Sequence, residues 1–283
     1  MSDAVVSVAG LTKQYGELRA VDDISFTIDQ GETFVLLGPN GAGKSTTIEI
    51  LEGFRSRSAG EVRVLGMDPH KADRAFKARI GIVLQQAGDL GRLTVRQTLQ
   101  HFASLYPNPR AVDEVIHAVD LAGKADTAIR KLSGGQQHRV DVALGMIGNP
   151  ELLFLDEPTT GFDPEVRRQF WQVIQRLQAE GTTIMLTTHY LDEAEELGDR
   201  AGIILDGRLV ALDDVSKIGG EQLRIPVVGW IEAGVQHEQA TERPGAFVAD
   251  LVARLGQEPE KLQVRTPTLE NVYLAMLDGR SER

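Results

Sequence analysis

The run Gly38, Pro39, Asn40, Gly41, Ala42, Gly43, Lys44, Ser45 and Thr46 constrains this chain more than any other stretch of its 283 residues. It fits the pattern G-x-x-x-x-G-K-[S/T], in which each fixed place has a mechanical reason. Glycines let backbone N–H groups turn inward and approach phosphate oxygens closely. Lys44 supplies positive charge to β- and γ-phosphates, and the Ser45 hydroxyl is offered to Mg²⁺. A compact apolar run at 33–37 enters the loop, and a helical segment from Lys44 to about Gly53 leaves it. That helix points its positive N-terminal end at the anion.

The rest of the chain extends this strand–loop–helix unit. Residues 5–8, 24–28, 62–65 and 80–84 are strand candidates, as are the short apolar runs 152–155 and 183–187. From Thr94 to Gly148 the pattern turns helical: Val95, Leu99, Phe102 and Leu105 fall near helical spacing, then Val112, Val115, Val119 and Leu121. The prolines of 106–110 break it in two. A further helix is predicted over 167–178, with Phe170, Ile174 and Leu177 on one face. Residues 201–212 suggest a hairpin around Asp206-Gly207. Strands alternating with helices imply a largely parallel α/β sheet, with the helical block as an inserted subdomain. After about residue 215 the character changes to a proline-punctuated tail with short strand candidates and two helices. The last helix is predicted with Thr266 as N-cap and Pro267 at its first position. Its apolar stripe is Leu269, Val272, Tyr273, Met276 and Leu277.

A second chemical element is Leu152-Leu-Phe-Leu-Asp-Glu157. Four apolar residues bury a strand, and two acids stand at its C-terminal end, the edge at which open α/β sheets bind ligands. With the glycine loop upstream, Asp156 is read as part of the Mg²⁺ shell and Glu157 as the group that polarises the attacking water. Lys plus Arg is 30 against Asp plus Glu 41, a net charge of −11, which argues against a general nucleic-acid binder. Cysteine is absent, so thiolate nucleophiles and Cys-based zinc sites are excluded. No stretch approaches the roughly 18 apolar residues of a membrane span, and the start Met-Ser-Asp-Ala-Val-Val lacks a signal-peptide pattern. The expectation is a cytoplasmic chain, with any membrane part supplied by another subunit.

The third element decides the class. Leu132-Ser-Gly-Gly-Gln136 lies a short distance before the Asp156-Glu157 strand. In plain terms Ser133 is a helix N-cap followed by flexible glycines, and such a terminus with bare backbone amides also suits a γ-phosphate. With this pentapeptide the sequence resembles the ATP-binding cassette (ABC) ATPase family closely over about residues 5–215. The resemblance implies a P-loop NTPase cassette: a RecA-like parallel core, an antiparallel β subdomain and the helical subdomain at about 87–148. A small α+β C-terminal domain at 216–283 completes the expected organisation. It also implies ATP and Mg²⁺ as ligands, and a second copy whose Ser133, Gly134, Gly135 and Gln136 reach the opposite nucleotide. Tyr15 resembles the aromatic that stacks on adenine. Gln85, or Gln86 one place on, resembles the glutamine that senses Mg²⁺ and water. Asp163 resembles the aspartate that crosses the dimer interface, although the family usually has Leu where Phe162 stands. His189 resembles the switch histidine that contacts the γ-phosphate.

The tail segment Thr268-Leu-Glu-Asn-Val-Tyr-Leu274 is similar to the end of many exporter ATPases of the daunorubicin-resistance kind. This favours a transporter motor on the inner face of the cell membrane, working as a homodimer with separate integral membrane permease subunits. The alternative is a soluble ABC ATPase, for example in cluster assembly. Translation-factor types carry two cassettes, whereas this chain has one such loop. Repair types insert long coiled coils, and only about 90 residues separate Lys44 from Ser133.

Overall fold

Thr33–Leu37 is buried at all five positions, so it has no solvent face. Such a strand needs a hydrogen-bonded neighbour on each side and cover on both faces. The computed structural model describes residues 4–83 and 92–281, with side chains through residue 276. The chain divides into two compact units, Met1–Leu212 and Asp213–Arg283.

In chain order the first unit contains β1 (Val6–Tyr15), β2 (Leu18–Ile28), β3 (Thr33–Leu37), α1 (Lys44–Leu51), β4 (Ala59–Val64), α2 (Arg74–Lys77) and β5 (Ile80–Val83). The helices α3 (Val95–Ala103), α4 (Val112–Ala118) and α5 (Gly134–Met146) follow. Then come β6 (Leu152–Asp156), α6 (Pro164–Ala179), β7 (Thr183–Thr188), α7 (Leu191–Leu197), β8 (Arg200–Leu205) and β9 (Arg208–Asp214), the last two residues of which are assigned to the second unit. The strand order of the main sheet is β5-β6-β7-β3-β8-β9. The pairs β5–β6, β6–β7, β7–β3 and β3–β8 are parallel. In register, Leu37 lies opposite Thr188 and Asp156 opposite Thr187, so the C-terminal ends of three strands stand side by side. A second sheet, β2-β1-β4, is antiparallel. Its apolar face (Val6, Val8, Ile24, Phe26, Ile28, Val62 and Val64) shares one core with Phe34, Ile48 and Leu51. The Phe26 and Phe34 rings stack there at 5.0 Å. The turn between β8 and β9 has φ 50° at Asp206 and 78° at Gly207, the left-handed pair that a two-residue hairpin needs.

In the helical segment, Val95, Leu99, Val115, Ile116, Val140 and Ala143 are buried. α3 opens with a capping box: Gln97 N–H donates to Thr94 Oγ1 (3.1 Å) and Thr94 N–H to Gln97 Oε1 (3.0 Å). Leu105, expected on this helix, lies beyond its end and is exposed. α6 begins three residues before the periodicity places it, because Asp163 caps it and Pro164 occupies its first position.

The second unit holds α8 (Gly220–Leu223), β10 (Val227–Glu232), β11 (Val235–Ala240), α9 (Pro244–Leu255), β12 (Glu260–Arg265) and α10 (Leu269–Ser281). β10 is central, antiparallel to both neighbours, and Val228 and Trp230 pack on Leu251, Phe247 and Leu255 of α9. α10 starts two residues later than predicted. Thr268 N–H donates to Asn271 Oδ1 (3.0 Å) and Asn271 N–H to Thr268 Oγ1 (3.4 Å). That reciprocal pair sets the boundary, and leaves Thr266 and Pro267 outside the helix. Val272 is buried; a Cβ on Gly219, whose φ is 87°, would stand 2.2 Å from its Cγ1. Among the described residues no helix is long and apolar enough to cross a membrane.

Candidate active site

The loop after β3 is shaped by close backbone approaches. A Cβ on Gly38 would stand 2.3 Å from the Ile204 carbonyl oxygen. One on Gly43, at φ 107°, would stand 2.3 Å from the Ala20 carbonyl oxygen. Both places therefore exclude a side chain. Gly43 is the N-cap of α1 and supplies no side-chain acceptor to its first turn. Lys44 is 4% exposed. Its ammonium donates to the carbonyl oxygens of Gly38 (2.8 Å) and Pro39 (3.1 Å) and pairs with Glu157 Oε1 at 3.0 Å. A cavity of about 370 Å³ opens here, lined by Ala20, Asn40, Gly41, Gly43, Lys44, Ser45, Thr46, Asp156 and Glu157. Pro39 and Ala42 belong to the same turn, in which Ala42 N–H donates to the Pro39 carbonyl at 3.2 Å.

The two acids differ in environment. Asp156 Oδ1 accepts the hydroxyl of Thr187 on the adjacent strand. Burial pushes its carboxyl up, opposed by the Thr187 and Ser45 hydroxyls and the Lys44 charge. Glu157 adopts φ 47°, a left-handed conformation unusual for a residue with a side chain. Its N–H is held by the Thr187 carbonyl (3.0 Å) and Oγ1 (3.1 Å). Burial raises the Glu157 carboxyl too, but the hydrogen bond and charge of Lys44, with His189, outweigh it and leave it below its ordinary value. His189 Nδ1 stands 3.2 Å from Glu157 Oε2, and Thr160 Oγ1 donates to the same oxygen at 3.3 Å. A carboxylate so held is ionised and aimed, which is what activating a water molecule requires. Ser45 and Asp156 offer hard oxygen donors side by side, a set that suits Mg²⁺ completed by phosphate oxygens.

Ser133 is the N-cap of α5 and forms a capping box with Gln136 (3.3 and 3.1 Å). It lines a separate hollow of about 360 Å³ with Gly134, Gly135, His138, Gly161, Phe162, Asp163 and Val166. Asp163 Oδ1 accepts from the N–H groups of Glu165 (3.1 Å) and Val166 (2.9 Å), the first turn of α6. Phe162 packs its ring on His138 at 4.8 Å and on Phe170 at 5.8 Å, so the larger side chain fills this corner. Burial pushes the neighbouring Asp141 up to about 7, and His138 down.

Tyr15 ends β1 and is 38% exposed. It does not line the cavity at Lys44; Lys13 Nζ lies 4.8 Å and the Arg55 guanidinium 5.5 Å from its ring centre. Gln85 and Gln86 lie outside the described residues. Sequence reasoning missed Ala20, Thr187, His138 and Glu193. None stands in a chemically marked pattern, and each gains its place only when distant strands and helices meet. It also missed Glu52, which caps the C-terminal end of α1, is 3% exposed, and is pushed up to about 8 by burial and by Asp156 and Glu49.

A glycine loop at a sheet edge, two acids at the next strand but one, and a capped glycine-rich helix together have the arrangement of a nucleotide-hydrolysing cassette. The family described as "ABC transporter" matches residues 21–160. The Nod factor export ATP-binding protein I of Rhizobium johnstonii is 35% identical, over 100% of this chain and 98% of that protein. The daunorubicin resistance ATP-binding protein DrrA2 of Streptomyces coeruleorubidus is also 35% identical, with the same coverage. The dimeric structure of a post-hydrolysis ATP-binding cassette bound to ADP and Pi superposes with a TM-score of 0.64 at 25% identity, covering 74% of this chain and 98% of that one. The chain belongs to the ATP-binding proteins of ABC transporters, and is an ATPase subunit.

Proposed function

We propose that this chain is the ATP-hydrolysing motor of an exporter, closing as a homodimer around two ATP molecules and driving separate integral membrane permease subunits. It would work on the cytoplasmic face of the membrane. Export is supported by relatives whose names state export or drug resistance and that align along the whole chain. A soluble role such as cluster assembly has no comparable support.

The observation that carries the shared-site reading is separation. Among the described residues, the cavity around Lys44 and the hollow at Ser133 have no lining residue in common. That separation supports a reading in which a second chain brings its Ser133, Gly134 and Gly135 amides to the phosphate held at Lys44. Within one chain, residues 38–46 hold the phosphates, with Lys44 exchanging Glu157 for phosphate oxygens. Ser45 and Asp156 would hold Mg²⁺, which neutralises phosphate charge. Glu157 orients and deprotonates the attacking water. His189 contacts the γ-phosphate through the ring nitrogen that does not face Glu157. Asp163 sits across the interface from the partner, Gln136 supports the Ser133 turn, and Tyr15 stacks on adenine. Gln85 would complete the Mg²⁺ and water contacts.

The test mixes two inactive proteins, Lys44→Ala and Ser133→Arg, in steady-state phosphate release with Mg-ATP. One site of the mixed dimer inherits both defects and the other neither. Recovery of about half the wild-type rate per mixed dimer is expected. A mixed dimer that forms by light scattering yet stays inactive, together with a wild-type rate strictly proportional to protein concentration from a species that remains monomeric, would remove the shared site.

A further inference from the structure

The Tyr190 ring touches two groups that belong to different arms of the site. Its centre lies 4.1 Å from that of the His189 imidazole, tilted by 39°. The guanidinium of Arg167 lies 4.0 Å from the same ring centre, well inside cation–π range. Arg167 stands on the first turn of α6, where its N–H donates to the carbonyl of the N-cap, Asp163, at 3.0 Å. Its side chain is 15% exposed and pairs with Asp192 of α7 at 3.1 Å.

The frame around this ring is fixed. Tyr190 N–H donates to Thr188 Oγ1 at 3.0 Å. Glu193, fully buried one turn into α7, accepts from Thr159 Oγ1 (2.8 Å) and from Trp171 Nε1 of α6 (3.1 Å). These bonds tie α6, α7 and the turn after Glu157 into one piece. The imidazole itself has less to hold it. Its terminal torsion is intrinsically broad and two-fold, and among the described residues its one polar contact is Nδ1 to Glu157 Oε2 at 3.2 Å. Packing must therefore choose the ring plane, and the ring that packs on it is Tyr190.

We propose that Tyr190 is a positioning residue for ATP hydrolysis. Its ring, anchored by Arg167 on the helix that Asp163 caps, sets the orientation of His189 toward the γ-phosphate. The arrangement also links the Asp163 turn to His189 within one subunit through two ring contacts. This inference rests on the reading of His189 as the γ-phosphate contact.

Tyr190→Leu keeps apolar volume and removes the aromatic face. Because misplacing a reacting contact by about 1 Å costs up to about 10²-fold, kcat should fall by about 10- to 100-fold, with KM for ATP changed by less than about threefold. Tyr190→Phe retains the ring and should keep most of the rate. Arg167→Lys keeps the charge but not the planar face, and should give a smaller loss of the same kind. The deciding measurement is a double-mutant cycle in which Tyr190→Leu is added to His189→Ala. A residue that acts through His189 produces no further loss there, whereas a general structural role repeats its loss. Far-UV circular dichroism and thermal unfolding of each variant establish that the compared proteins are folded. A wild-type kcat in Tyr190→Leu, or an equal fold-loss in the presence and absence of His189, overturns the positioning role while leaving His189 in the mechanism. An undiminished rate in His189→Ala alone overturns both.

Discussion

Replacing Glu157 with Gln acts where one lysine meets two claims. The buried Lys44 ammonium has three oxygen partners, the carbonyls of Gly38 and Pro39 and the carboxylate of Glu157. A γ-phosphate that engages Lys44 must displace Glu157 or share the lysine with it. Glutamine keeps the length and one acceptor oxygen but loses the charge. A hydrogen bond to a charged group contributes about 1.5–3 kcal/mol, against about 0.5–1.5 for a neutral one. The competitor is therefore weakened by about 1 kcal/mol or slightly more, and the Kd for ATP should fall by about five- to tenfold. The rate should move the other way. Losing a positioned general base costs about 10²–10⁴ in kcat, or roughly 3–5.5 kcal/mol of barrier. Tighter binding with slower turnover should leave a long-lived ATP-bound dimer. Calorimetric titration with Mg-ATP at low temperature gives Kd, phosphate release gives kcat, and light scattering gives mass. An unchanged or weaker Kd would refute the competition for Lys44. A wild-type kcat would remove Glu157 as the base, and His189 would be next to examine.

Further expectations follow from side chains at the margins of the site. Tyr15→Phe should bind ATP like the wild type and Tyr15→Ala several-fold more weakly, since stacking contributes about 1–3 kcal/mol per base; equal Kd values in a fluorescent-nucleotide titration would return Tyr15 to an ordinary strand end. Glu52 has a folded-state pKa of about 8 against an ordinary 4.5, so the unfolded chain binds fewer protons than the native one between those values, and stability falls as pH rises through that window. Glu52→Gln should therefore gain stability of order 3 kcal/mol at pH 7, about 1.4 kcal/mol per pH unit, with little gain at pH 4.5. Urea unfolding at the two pH values checks this, and a pH-independent difference refutes it.

Where the sequence was legible, one local rule dominated. Thr33–Leu37 and Leu152–Asp156 are continuous apolar runs ending in marked residues, and both are strands close to the places expected. Asp206-Gly207 specified its turn outright through two positive φ values. Legibility failed where rules competed. β1 continues to Tyr15 through Thr12, Lys13 and Gln14, whose polar side chains hide the strand because pairing with β2 and β4, not apolar alternation, sustains it. At α10 the Thr-Pro-Thr run offers two caps. The proline rule favours Thr266, but the reciprocal Thr268–Asn271 hydrogen bonds win.

The site divides along the same line. Each contiguous motif announces its own chemistry, because the spacing of glycines, lysine and acids is itself the requirement. What no motif contains is the order β6-β7-β3. That order sets the Leu37 end of β3 beside Thr188, and Thr187 beside Asp156. With neighbouring strands about 4.8 Å apart, the ends of β3 and β6 are about 10 Å apart across β7, and Lys44 bridges that gap to pair with Glu157 at 3.0 Å. Thr187 then lies between them. Its hydroxyl meets Asp156, and its carbonyl and hydroxyl both receive the Glu157 N–H, holding that residue at its left-handed φ. His189 leaves the same strand two residues later, and Tyr190 follows it. A threonine in an apolar strand carries no signal of such a role in sequence. It acquires one because parallel register puts the middle strand's end in contact with both neighbours, so the aim of Glu157 depends on a residue that no motif marks.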